Sequence, residues 1–67
     1  MRSVQPGMNV ARQRRKFLQR INDAPDVDHA VYLSWLLGQF DADVALGVPR
    51  PASEFLPMYF EEFDVAS

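Results

Sequence analysis

Ala30-Val31-Tyr32-Leu33-Ser34-Trp35-Leu36-Leu37-Gly38-Gln39-Phe40 is the stretch on which the fold turns. A surface helix of a globular protein carries one apolar stripe. This run is apolar nearly all round, so as a helix it needs cover on several sides. A 67-residue chain has few other elements to supply that cover, and a chain of this size buries only about 60% of its unfolded surface. The stretch therefore predicts a helix that needs a second covering surface, either another copy of the chain or an obligate partner.

Within the same helix Ala30, Ser34, Gly38 and Ala42 recur every four residues. They form a ridge of small side chains along which another helix can approach closely. Gly38 costs about 1 kcal/mol relative to Ala inside a helix, which calls for a reason such as close packing. Ala30, Ser34, Trp35 and Gly38 are accordingly the candidate dimer or partner interface.

Outward from this helix the punctuation is clear. Asn22-Asp23-Ala24-Pro25-Asp26 ends one helix and begins the next, with Asp23 or Asp26 as the N-cap. Upstream, Asn9 is a suitable N-cap for a first helix over Val10–Asn22. Downstream, Asp41–Leu46 either continues the second helix or starts a separate turn, and Gly47 is a stop signal. Val48-Pro49-Arg50-Pro51-Ala52 reads as an extended connector, because each residue before a proline is pushed out of the α region. Ser53 is placed to cap a third helix over about Glu54–Val65. The expected fold is all-α, a small bundle of three helices, or four if the second breaks between Gly38 and Asp41, completed by homodimerisation. Residues 1–8 read as a flexible arm carrying a Pro-Gly breaker, with Met8 as an alternative start, and residues 9–67 as a single helical domain.

The net charge of −2 conceals a division. Residues 1–20 hold Arg2, Arg12, Arg14, Arg15, Lys16 and Arg20 and no acid, whereas residues 21–67 hold all nine acids and one base, Arg50. Two explanations follow. The basic helix sits against acids of its own chain or of a second copy, or it seeks an external anion. Arg12, Arg15, Lys16 and Arg20 form its candidate partner-binding face. Arg14 is different: it projects about 40° from Val10, into the apolar stripe formed with Phe17, Leu18 and Ile21. A charge there needs a partner or a route to solvent. It either snorkels past the edge of a small core or forms a salt bridge to an acid of the third helix or of a partner.

In the third helix Phe55, Tyr59 and Phe63 repeat at i, i+4 and i+8, and Leu56 and Phe60 widen the same face. That stripe reads as packing on the second helix, with a contact surface for a partner as the functional alternative, since exposed aromatics make strong anchors.

Catalytic chemistry finds little support. His29 is the sole histidine and there is no cysteine. Ser34, His29 and Asp26 are local in sequence and fit no nucleophile elbow. Asp41/Asp43 and Glu61/Glu62 read as solvated faces rather than acid–base pairs. No EF-hand spacing, P-loop or glycine-rich dinucleotide motif is present, so no metal and no cofactor is expected. No apolar run approaches the roughly 20 residues of a spanning helix, and no secretory signal is evident; a cytoplasmic protein is expected.

The functional expectation is a small non-enzymatic protein-binding regulator, inhibitor or adaptor, using the basic first helix and the aromatic, acidic third helix. Its size and composition suit a phage or mobile-element accessory protein. The alternative is a DNA- or RNA-binding regulator reading through Arg and Gln of the first helix, and a further alternative is a small assembly chaperone.

Overall fold

The computed structural model describes residues 8–66, which form three α-helices and no strand: α1 (Val10–Asn22), α2 (Val27–Ala45) and α3 (Leu56–Phe63), with one 3₁₀ turn at Ala52–Glu54 before α3. The proposed arm over residues 1–8 lies outside the described residues except for Met8.

Local chemistry sets most of the boundaries. Asn9 Oδ1 accepts the Arg12 N–H at 3.0 Å and opens α1. Asp26 Oδ1 accepts the His29 N–H at 3.2 Å and opens α2. Each cap satisfies one of the N–H groups that a helix start leaves unpaired. At the other end of α2, Gly47 adopts φ +80°, and the N–H groups of Gly47 and Val48 fold back on the Val44 and Asp43 carbonyls at 3.0 and 2.9 Å. This paired closure needs a left-handed residue, which glycine supplies without steric cost. Between these signals α2 runs unbroken through Gly38 and Asp41. The fourth helix considered above is therefore not formed.

The start of α3 departs from the expected position. Ser53 does not cap a helix at Glu54; it lies inside the 3₁₀ turn, and α3 begins at Leu56 with Pro57 in its first turn. A long-range bond holds this turn. Ala52 donates its N–H to Gln13 Oε1 at 2.8 Å, across 39 residues of sequence. In a 3₁₀ turn residues i and i+3 lie above one another, so Ala52 and Phe55 enter the core side by side.

The core consists of Phe17 from α1, Leu33, Leu36 and Phe40 from α2, Ala52 and Phe55 from the turn, and Tyr59 from α3, all at 3% exposure or less. Leu33, Leu36 and Phe40 follow i, i+3, i+7 spacing and form one stripe of α2. Phe17 is the single fully buried residue of α1. Its ring centroid lies 5.3 Å from that of Phe40 and 5.9 Å from that of Phe55, and the latter two are 6.3 Å apart. This triangle of rings joins all the elements except α3, which enters through Tyr59 and the half-buried Phe60 and Phe63.

One consequence bears on function. The described residues cover α2 on one side only. On the opposite side Val27, Val31, Ser34, Trp35, Gly38 and Ala42 face solvent, with Trp35 54% and Val31 63% exposed.

Candidate interaction surfaces

The basic helix is only slightly neutralised by its own chain. Among the described residues just one base of α1, Arg14, is paired with an acid. Arg12, Arg15 and Lys16 are exposed on the side of α1 turned away from the core, together with Gln19 and the 44% exposed Leu18. Arg20 is half-buried, its guanidinium 4.7 Å above the Phe60 ring. The predicted basic face thus divides: Arg12, Arg15 and Lys16 are free, and Arg20 is engaged with an aromatic ring. Internal neutralisation by the acidic half, one of the two explanations for the charge division, holds for Arg14 alone.

Arg14 makes the predicted ion pair, but with α2 rather than α3. Nε donates to Asp41 Oδ1 at 2.9 Å and Nη2 to Asp41 Oδ2 at 3.0 Å. The fork-to-fork geometry matches guanidinium to carboxylate. It holds the Asp41 carboxyl below its usual pKa, chiefly through the hydrogen bond, with partial desolvation opposing, and it raises that of Arg14. Asp43 is likewise engaged: Arg50 Nη2 and Nε approach Asp43 Oδ2 at 2.8 and 3.0 Å. Asp41 and Asp43, read from sequence as a solvated face, are in fact half-buried and paired.

Of the four residues assigned to a dimer or partner interface, Ser34, Trp35 and Gly38 are exposed on α2 and Ala30 is half-buried. A methyl group built at Gly38 would meet no neighbouring atom within 4 Å. Nothing in the folded chain therefore requires a glycine at this position.

The aromatic face of α3 is turned inward. Phe55 and Tyr59 are buried, and Phe60 and Phe63 are half-buried against the core. These rings build the fold, and of the four only Phe60 and Phe63 keep part of their surface open to a partner.

His29 has a role that its sequence position conceals. Beside two aspartates at a helix start, it reads as a solvated polar residue. Instead Nδ1 shares a 2.8 Å hydrogen bond with the Tyr59 hydroxyl, and the ring lies 4.1 Å from the Phe63 ring. The bond satisfies the hydroxyl of an otherwise buried tyrosine and ties α2 to α3. Ser34 lies five residues on, about 140° around the helix from His29, so the two do not form a nucleophile–base pair. No group of three or more potential metal-ligating side chains occurs among the described residues, and none of the described helices is long and apolar enough to cross a membrane.

No protein-family model matches the chain, and neither the curated proteins nor the solved structures contain a significant match to it.

Proposed function

We propose that this chain is a small non-enzymatic protein-binding regulator, inhibitor or adaptor that uses the outer face of α1 to hold an acidic partner protein. One observation carries this reading: in a chain with nine acids, Arg12, Arg15 and Lys16 have no acidic partner among the described residues. Exposed Leu18 beside them adds an apolar contact to the basic strip, a mixture that suits a protein surface better than a phosphate backbone. A homodimer joined along the small-residue side of α2 belongs to the same proposal. It is supported by the uncharged, solvent-facing Ser34, Gly38 and Ala42 and by the small core. A cytoplasmic setting and a phage or mobile-element origin accompany it on size and composition alone.

A nucleic-acid ligand is the second reading, favoured by the Arg and Gln side chains that share the exposed strip. Both use the same face, so the experiment must identify what binds there. Tagged protein and an Arg12→Glu/Arg15→Glu/Lys16→Glu variant are used in parallel to capture bound species from source-cell lysate. An acidic protein at fixed stoichiometry, held by the first and lost from the second, supports the proposal. Nucleic acid whose binding falls steeply with salt replaces it by the second reading. A protein held transiently during particle assembly would instead mark an assembly chaperone.

A further inference from the structure

Beside the small-residue ridge, on the side of α2 nearer α3, lies an open hollow of about 500 Å³ lined by Asp28, Val31, Tyr32, Trp35 and Phe63. Tyr32 projects about 120° around the helix from Gly38, whereas Val31 and Trp35 lie about 20° from Gly38 and Ala42 respectively, so the hollow adjoins the ridge and shares its flank. The Tyr32 ring centroid lies 5.8 Å from that of Trp35 and 5.5 Å from that of Phe63, the latter pair edge to face. More than half of Trp35 remains open to solvent. Asp28 is exposed at the rim and has no base within ion-pair distance among the described residues.

The protein shows elsewhere what this combination of groups holds. The Arg50 guanidinium lies 4.7 Å above the Phe55 ring while it pairs with Asp43. A ring face and a carboxylate together seat one arginine. The hollow on α2 has the same ingredients, three rings and a carboxylate, with no cation in it among the described residues.

We propose that the hollow is a socket for an arginine side chain of a partner protein, its guanidinium packed on Trp35 and Tyr32 and paired with Asp28. Aromatic faces attract cations through the ring quadrupole. Arginine fits better than lysine because its planar, weakly hydrated guanidinium stacks on a ring and donates to a carboxylate at the same time. The socket is separate from the basic face of α1 and of opposite charge preference, so it stands or falls independently of what that face binds; Trp35 also belongs to the candidate dimer interface, and a second copy packed on the ridge would compete with the arginine for it. A partner that meets both would present an acidic patch to α1 and an arginine to α2.

The sole tryptophan and the small size of the chain permit a direct test by NMR. N-acetyl-arginine amide is titrated into the protein while the ring signals of Tyr32, Trp35 and Phe63 are followed, with N-acetyl-citrulline amide as the uncharged isostere. The expected result is a saturable shift of these rings with arginine, at least about fivefold weaker with citrulline. Asp28→Asn weakens the arginine response by about the same factor, and Asp28→Glu recovers most of it. Equal responses to arginine and citrulline, or none at the three rings, overturn the proposal. The citrulline comparison uses the unaltered chain, so the outcome does not depend on the folding of a variant.

Discussion

Arg14 on α1 grips Asp41 on α2 with two hydrogen bonds, 2.9 and 3.0 Å long, across 27 residues of sequence. The pair joins the first half of α1 to the last turns of α2 at the surface, beside the buried Phe17–Phe40 contact of the same two helices. Its pH dependence has a definite sign. Asp41 titrates lower in the folded chain than its ordinary value, so the pair contributes stability above the unfolded value, about pH 3.9. The contribution is lost as pH falls through the lowered folded value. The difference in urea-unfolding midpoint between the native chain and Asp41→Asn is therefore predicted to be largest near neutrality and to shrink on acidification below about pH 4. A difference that stays constant with pH would show that the pair is not the source.

Phe17 is the only fully buried residue that α1 contributes. Truncating a buried phenylalanine costs about 3–5 kcal/mol, and a native domain has only about 5–15 kcal/mol in total, with short chains at the low end. Phe17→Ala is expected to leave the chain largely unfolded at 25 °C by circular dichroism, whereas Phe17→Leu retains a cooperative transition at a lower midpoint.

The His29–Tyr59 bond makes Tyr59→Phe informative, because the substitution keeps the ring in the core and removes only the hydroxyl. A loss of about 0.5–1.5 kcal/mol in denaturant unfolding is expected, the usual net value of one hydrogen bond. An unchanged midpoint would mean that the bond contributes nothing to the α2–α3 contact.

The two described glycines should respond in opposite ways. Gly47 has φ +80°, so Gly47→Ala forces a side chain into the left-handed region at a cost of about 1 kcal/mol. Gly38 is inside a helix with open space around it, so Gly38→Ala should stabilise the monomer by up to about 1 kcal/mol. The same position tests the proposed homodimer. If another copy packs closely on the ridge, Gly38→Leu converts a dimer to a monomer in analytical ultracentrifugation with the helix content unchanged. A native chain that remains monomeric at all concentrations removes that part of the proposal.

The parts of this fold that were legible in the sequence are those fixed by adjacent residues. Asn9, Asp26 and Gly47 cap or stop helices through bonds to residues three to five positions away, and the start of α1 and both ends of α2 could be read from them. The start of α3 could not: Ser53 falls inside a 3₁₀ turn whose Ala52 N–H is bound by Gln13, 39 residues away. Arg14 was recognisable as a charge out of place on its helix, but the choice of Asp41 over an acid of α3 depends on the antiparallel docking of α1 on α2. His29 was obscured for the same reason: its Tyr59 partner is 30 residues away. The apolar run marked α2 as a helix in need of cover, and Leu33, Leu36 and Phe40 form its buried side. It did not reveal which side the chain itself covers, since that depends on where α1 and α3 land. The basic face was legible as composition, and its division into free Arg12, Arg15 and Lys16 and ring-bound Arg20 required the position of Phe60.

The central claim is that the outer face of α1 binds an acidic protein. The most direct measurement is capture on the tagged chain from source-cell lysate, before and after nuclease, beside the Arg12→Glu/Arg15→Glu/Lys16→Glu variant, with bound species identified by mass spectrometry. All three side chains are exposed, and surface substitutions of this kind change stability by about 0.5 kcal/mol or less each, so the variant should remain folded. The predicted result is one protein at fixed stoichiometry that survives nuclease and is absent from the variant. Recovery of nucleic acid, or of the same proteins on both chains, would contradict it.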